Sequence, residues 1–128
     1  MPTRVGIDLV FVESVADSLR VHGEHYVRRV FTEQEAADCT TSTGLSPSGL
    51  AARFAAKEAA LKALRIPPDI GLSWLAVEVV RDDQGWLELR LTGRAAELAA
   101  TNGVTSLAVS VTHEESFACA VVVAELSA

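Results

Sequence analysis

Apolar and polar positions along this 128-residue chain alternate between two rhythms, one of strands and one of helices. Val5–Val12 is a mostly apolar, β-branched run, the pattern of a buried strand. From Glu13 to His22 the spacing of Val15, Leu19 and His22 is helical, and it stops at Gly23. Thr32-Glu33-Gln34-Glu35 reads as a capping box: Thr32 is the N-cap, Glu35 reaches back, and a short helix runs to about Cys39. Thr40–Ser48, rich in Ser, Thr, Gly and Pro, reads as the one real loop. It leads into the longest helical stretch, which ends near Arg65 because Pro67-Pro68 cannot continue it. Trp74–Arg81 and Trp86–Leu91 are strands joined by the turn Asp82-Asp83-Gln84-Gly85. A helix over Arg94–Thr101 closes at Asn102-Gly103. Ser106–Thr112 and Phe117–Glu125 are two β-rich runs bracketing His113-Glu114-Glu115-Ser116. With no repeat or linker, residues 1–128 form one domain. The expected fold is α+β, a mostly antiparallel sheet packed against a long central helix.

That helix departs from a plain core pattern. Over Leu50–Leu64, the residues Leu50, Phe54, Leu61 and Leu64 fall on one stripe. Lys57 projects into the middle of the stripe, with Glu58 and Lys62 at its edge, one turn apart. A lysine among packed apolar groups either snorkels to water or brings its ammonium to a partner or an anion. Glu58 and Lys62 are either an ordinary helical surface pair or part of a site.

Charge and composition narrow the possibilities. A formal charge of −6, with no basic run, excludes broad nucleic-acid binding. No apolar stretch approaches a transmembrane span. The start of the chain lacks the pattern of a secretory signal, and Cys39 and Cys119 share no metal or redox spacing. Free thiols in the cytoplasm are therefore expected.

The chemistry-bearing residues lie mainly near the two ends and on the long helix. Asp8 sits inside the apolar run Gly6-Ile7-Asp8-Leu9-Val10 and needs either a metal or a basic partner such as an arginine or Lys57. Gly6 beside it permits close approach of another backbone or a ligand. Asp8 and Glu58 together would supply two hard oxygen ligands, a set that suits Mg²⁺ with water and phosphate oxygens. His22, His25 and His113 form no zinc-ligand spacing with the cysteines. His113 ends a strand, and with Ser110 and Thr112 it forms a polar group able to hold a phosphate, or simply a solvated turn. Ser110 and His113 lie three apart on a strand, so they point to opposite faces, which excludes a serine-hydrolase pair.

Four segments, taken in order, resemble one family. Gly6-Ile7-Asp8-Leu9-Val10, Phe31-Thr32-Glu33-Gln34-Glu35, Arg53-Phe54-Ala55-Ala56-Lys57-Glu58-Ala59 with Lys62-Ala63-Leu64, and Ser110-Val111-Thr112-His113-Glu114 are similar to the holo-acyl-carrier-protein synthases, the small phosphopantetheinyl transferases. Thr112 before the histidine is a variant found in actinobacterial members. The resemblance implies a homotrimer with active sites at subunit interfaces, Mg²⁺, and coenzyme A as donor. A serine of an apo acyl carrier protein would attack the β-phosphate, taking 4′-phosphopantetheine and releasing 3′,5′-ADP. By motif, Asp8 and Glu58 would hold the Mg²⁺ and Lys62 would neutralise the pyrophosphate. Arg53, Lys57 and His113, with Thr112, would hold the phosphates of coenzyme A. The general base stays open between a water on the metal and Glu58. Two segments depart from the family. Ser14 stands where an arginine usually helps dock the carrier, and Arg65-Ile66-Pro67-Pro68 replaces a glycine-containing turn. A non-catalytic relative serving as a nucleotide-binding scaffold is the competing reading.

Overall fold

The computed structural model describes residues 2–127, so Met1 and Ala128 of the expected domain lie outside the described residues. The chain enters on β1 (Thr3–Phe11) and passes directly into α1 (Val12–His22), α2 (Glu24–Val30) and α3 (Glu33–Asp38). A minimal hairpin, β2 (Thr40–Thr41) and β3 (Gly44–Leu45), precedes the long helix α4 (Pro47–Leu64). Then follow the hairpin β4 (Val77–Arg81) and β5 (Leu87–Leu91), α5 (Gly93–Thr101), and the long strands β6 (Val104–His113) and β7 (Phe117–Leu126). β1, β7 and β6 make one antiparallel sheet in that order, with Asp8 opposite Ala120 and His113 opposite Ala118. This is the α+β architecture expected, with α4 as its centre. Among the described residues no helix is long and apolar enough to cross a membrane.

The helix is more deeply embedded than a single apolar stripe implies. Leu50, Ala51, Ala52, Ala55, Ala56, Ala59, Ala60, Ala63 and Leu64 are all buried, while Phe54 and Leu61 are only half-buried. The sheet covers one side of α4, and α1, α3 and β4 cover others, so nearly the whole circumference meets protein. Alanine on most of that surface lets backbones come close. Gly6 takes this furthest: a Cβ there would lie 1.9 Å from the Ala59 carbonyl oxygen and 2.7 Å from the Ala63 nitrogen. Strand and helix therefore touch backbone to backbone, and Asp8, two residues on, is delivered alongside the next turn of α4.

Several local expectations are corrected. β1 is not buried on both faces. Gly6 and Val10 point inward, whereas Val5, Ile7 and Leu9 are 63%, 57% and 63% exposed on the outer face, because α4 covers only one side. Helix α2 was not legible from Glu24–Val30; Gly23, at φ +55°, turns the chain between two short helices. The Thr40–Ser48 loop contains the β2–β3 hairpin and ends in a cap, Ser46 accepting from the Gly49 amide at 3.1 Å with Pro47 in the first turn. Trp74–Ala76 is a 3₁₀ turn, and the strand begins only at Val77. The capping box at Thr32 and Glu35 is present in both directions.

Candidate active site

Where β1 crosses α4, three of the anticipated side chains come together. The Lys62 ammonium donates to the Ile7 carbonyl at 2.9 Å and to Asp8 Oδ1 at 3.2 Å. Glu58 lies one turn earlier on the same helix face. Burial pushes its carboxyl above the ordinary range; the neighbouring Asp8 charge adds to the rise, and Lys62 opposes it. Glu58 opens into a cavity of about 220 Å³ walled by Leu61, Ile66, Pro67, Leu72 and Trp74. A carboxylate at the mouth of a largely apolar pocket, with a lysine and a second carboxylate beside it, is a place for a ligand with a charged end.

A divalent cation fits the donor set. Burial is the main cause of the Glu58 rise and the Asp8 charge adds to it, and a cation between the two carboxylates would offset that added repulsion. No cluster of three or more His, Cys, Asp or Glu occurs among the described residues. Mg²⁺ needs only one or two protein carboxylates and fills its other positions with water and phosphate oxygens, so Asp8 and Glu58 are the residues that could hold it.

Lys57 takes the partnered course and lies apart from that group. Its side chain is fully buried, and its three donors are engaged by Glu35 Oε1 at 2.8 Å, the Trp74 carbonyl at 3.0 Å and the Val77 carbonyl at 2.7 Å. With every N–H used inside the core, it has none for a coenzyme A phosphate. Burial lowers its pKa, and Glu35 works against that shift. Glu35, also fully buried, accepts from the Thr32 and Val79 amides at 2.8 Å each. The capping box had accounted for Glu35 by itself, which hid this second role. The sequence signal was the unexplained lysine 22 residues later.

Arg53 is also drawn inward. It is 7% exposed, one Nη donates to the Gly49 carbonyl at 3.3 Å, and its Nε has no partner among the described residues. It stands beside Cys39, whose thiol pKa is raised by burial and partly restored by the guanidinium. Five residues from Glu58, it lies roughly 140° away around the helix, outside the Asp8 group.

Nor does the polar group at the end of β6 act as one. Ser110 and Thr112 lie on the outer face of the sheet, and His113, opposite the buried Ala118, belongs to the inner side at the rim. His113 is exposed in an open depression with Val12, Pro47 and Ser48, at the N-terminal end of α4. Ten residues of helix, about 15 Å of rise, separate Ser48 from Glu58. Within one chain, Asp8, Glu58 and Lys62 converge, and His113, Thr112, Arg53 and Lys57 do not join them.

The family model described as "4'-phosphopantetheinyl transferase superfamily" matches residues 4–122. A holo-[acyl-carrier-protein] synthase of Chloroflexus aurantiacus is 45% identical over 93% of this chain and 95% of its own. That of Edwardsiella ictaluri is 41% identical over 94% and 95%. Among solved structures, the ACPS–CoA complex of "Chronobacterium ammoniagenes" superposes with a TM-score of 0.85 at 31% identity, covering 100% of both chains. The AcpS of Mycobacterium tuberculosis gives 0.74 at 36% identity, covering 97% of each. The chain belongs to the 4′-phosphopantetheinyl transferase superfamily and is an enzyme of the holo-[acyl-carrier-protein] synthase type.

Proposed function

We propose that this enzyme moves 4′-phosphopantetheine from coenzyme A to a serine of an apo acyl carrier protein in the cytoplasm, with Mg²⁺ held by Asp8 and Glu58. The observation that carries the reading is the convergence of Asp8, Glu58 and Lys62 at the β1–α4 crossing, beside a small, mainly apolar cavity. The serine oxygen forms a bond to the β-phosphorus of coenzyme A, the bond from that phosphorus to the bridging oxygen breaks, and 3′,5′-ADP leaves with the electron pair. Phosphoryl-type transfer asks the protein mainly for positioning and for cations around the developing charge. Mg²⁺, when bound, neutralises part of the diphosphate charge. Lys62 brings a fixed positive charge to the leaving side, its ammonium oriented by the Ile7 carbonyl. The serine proton goes to a water at the site, with Glu58 as the second candidate acceptor.

We further infer a homotrimer with each site completed by a neighbour. The outer face of β1 and β7, with Val5, Ile7, Leu9, Phe11 and Phe117 exposed together, is an apolar patch of the kind that packs against another copy. His113 and Thr112, remote from Glu58 in their own chain, then become phosphate contacts in the site of the next one. Carrier docking here relies little on charge. Ser14 stands on α1, Arg20 is paired with Asp17 and Arg28 faces Glu24 at 3.4 Å, which leaves Arg29 on α2 as the basic residue of this segment outside such pairs, so the preferred carrier is only weakly acidic. The test is incubation with coenzyme A, Mg²⁺ and a panel of apo carrier proteins, read by intact mass. Gain of one phosphopantetheine, abolished by EDTA, supports the reading; no gain on any carrier overturns it.

A further inference from the structure

We propose that Lys57 and Glu35 are positioning residues for the coenzyme A site: their ion pair clamps the 3₁₀ turn Trp74–Ala76 as the wall that faces Glu58. The inference rests on the reading of the Glu58 cavity as the coenzyme A side of the site.

The arrangement is costly unless it has a use. Apolar residues of similar volume at both positions 57 and 35 would fill the space with no charge to desolvate, and such replacement of a whole buried pair is often neutral or stabilising. Packing alone does not call for an ammonium here. What a lysine offers is three N–H donors diverging from one atom. Here they meet three acceptors on two distant pieces of chain: Glu35 on α3, and the carbonyls of Trp74, which opens the turn, and Val77, which follows it. Glu35 adds the Thr32 and Val79 amides, so α3, α4, the turn and the start of β4 are tied at one point. The Val77 amide closes the turn on the same Trp74 carbonyl.

What the clamp holds is a wall of the site. Trp74 lines the cavity with Glu58, and its ring lies 5.1 Å from that of Phe54 on α4. Lys57 therefore sets the distance between the helix bearing Glu58 and the turn bearing Trp74 without touching the ligand. Five residues on, Lys62 is 54% exposed and faces the reacting side. The two lysines divide the work, one shaping the pocket and the other meeting the charge.

The chain contains only these two lysines, which makes the test direct. Protein labelled with ¹⁵N-lysine shows two side-chain ammonium groups. The Lys57 signal is expected to be protected from solvent exchange and to hold its position when coenzyme A and Mg²⁺ are added, while the Lys62 signal shifts. A Lys57 ammonium that exchanges freely, or that shifts with coenzyme A as Lys62 does, overturns the proposal. A second arm uses Trp86→Phe, which leaves Trp74 as the sole tryptophan. Adding Lys57→Met is expected to redden Trp74 emission and raise the KM for coenzyme A about tenfold, with kcat changed much less. A folded Lys57→Met protein with unchanged KM and emission overturns it. If that variant does not fold, the labelled unmodified chain still decides. If neither ammonium responds and no carrier is modified, the functional reading fails and this inference falls with it. Transfer with a shifting Lys57 signal overturns this inference alone.

Discussion

Lys57 and Lys62 stand five residues apart on α4 in contrasting surroundings. Around Lys57 the protein is dry: two fully buried charges and four backbone groups satisfy one another. Around Lys62 it is open: the lysine is half-exposed, Asp8 is partly so, and Glu58 looks into a cavity. In the first region low dielectric makes each bond strong and each loss severe. In the second, water screens the pair, so the same residue types add little to stability and stay available to a ligand. Charge on a helix is structural or functional according to what surrounds it.

The sharpest way to break the contrast is at the dry end. Lys57→Ala, which strands the Glu35 carboxylate, is expected to cost about 3–5 kcal/mol of stability by denaturant unfolding. A loss below about 1 kcal/mol contradicts the description of that region. At the open end Lys62→Met is expected to do the reverse. Turnover falls about 10²-fold, while stability changes by less than about 1 kcal/mol. Parallel loss of both in this variant erases the distinction.

Gly6→Ala probes the joint between strand and helix. Its Cβ would overlap the Ala59 carbonyl, so β1 must shift, at about 1–3 kcal/mol, and Asp8 must move with it. Unchanged stability and activity would show that the close approach does not set the site. The smallest effect is a pH dependence in EDTA. Glu58 has a raised pKa in the folded chain, so its stabilising contribution is present below the ordinary carboxylate range and is lost as pH rises through the folded value. Glu58→Gln is therefore expected to gain thermal stability over the parent at about pH 8, with the gain fading toward about pH 4. A gain that is constant across that range argues against the assigned electrostatics.

Much of this was legible in advance, for local reasons. The capping box at Thr32, the Gly85 turn, the end of α4 before Pro67 and the long C-terminal strands follow from rules that act within a few residues. Gly6 signalled a close approach, and Asp8, Glu58 and Lys62 could be named because two carboxylates and a lysine in apolar segments ask for an explanation. Helix α2 and the 3₁₀ turn at Trp74 escaped because short elements carry too few periods to register.

The amino-acid order by itself determined the α+β pattern, the family and the residue types able to serve a phosphate and a cation. Tertiary structure decided which of them are buried against partners and which stay exposed. Lys57, Lys62 and Arg53 share one helix and a similar local context, yet Lys57 found Glu35 across 22 residues and Arg53 was closed over beside Cys39. Only Lys62 kept an exposed ammonium, held by a strand 54 residues away. Helical spacing places side chains on a face, but the elements packed against that face set the dielectric, and burial separates a core ion pair from a site residue.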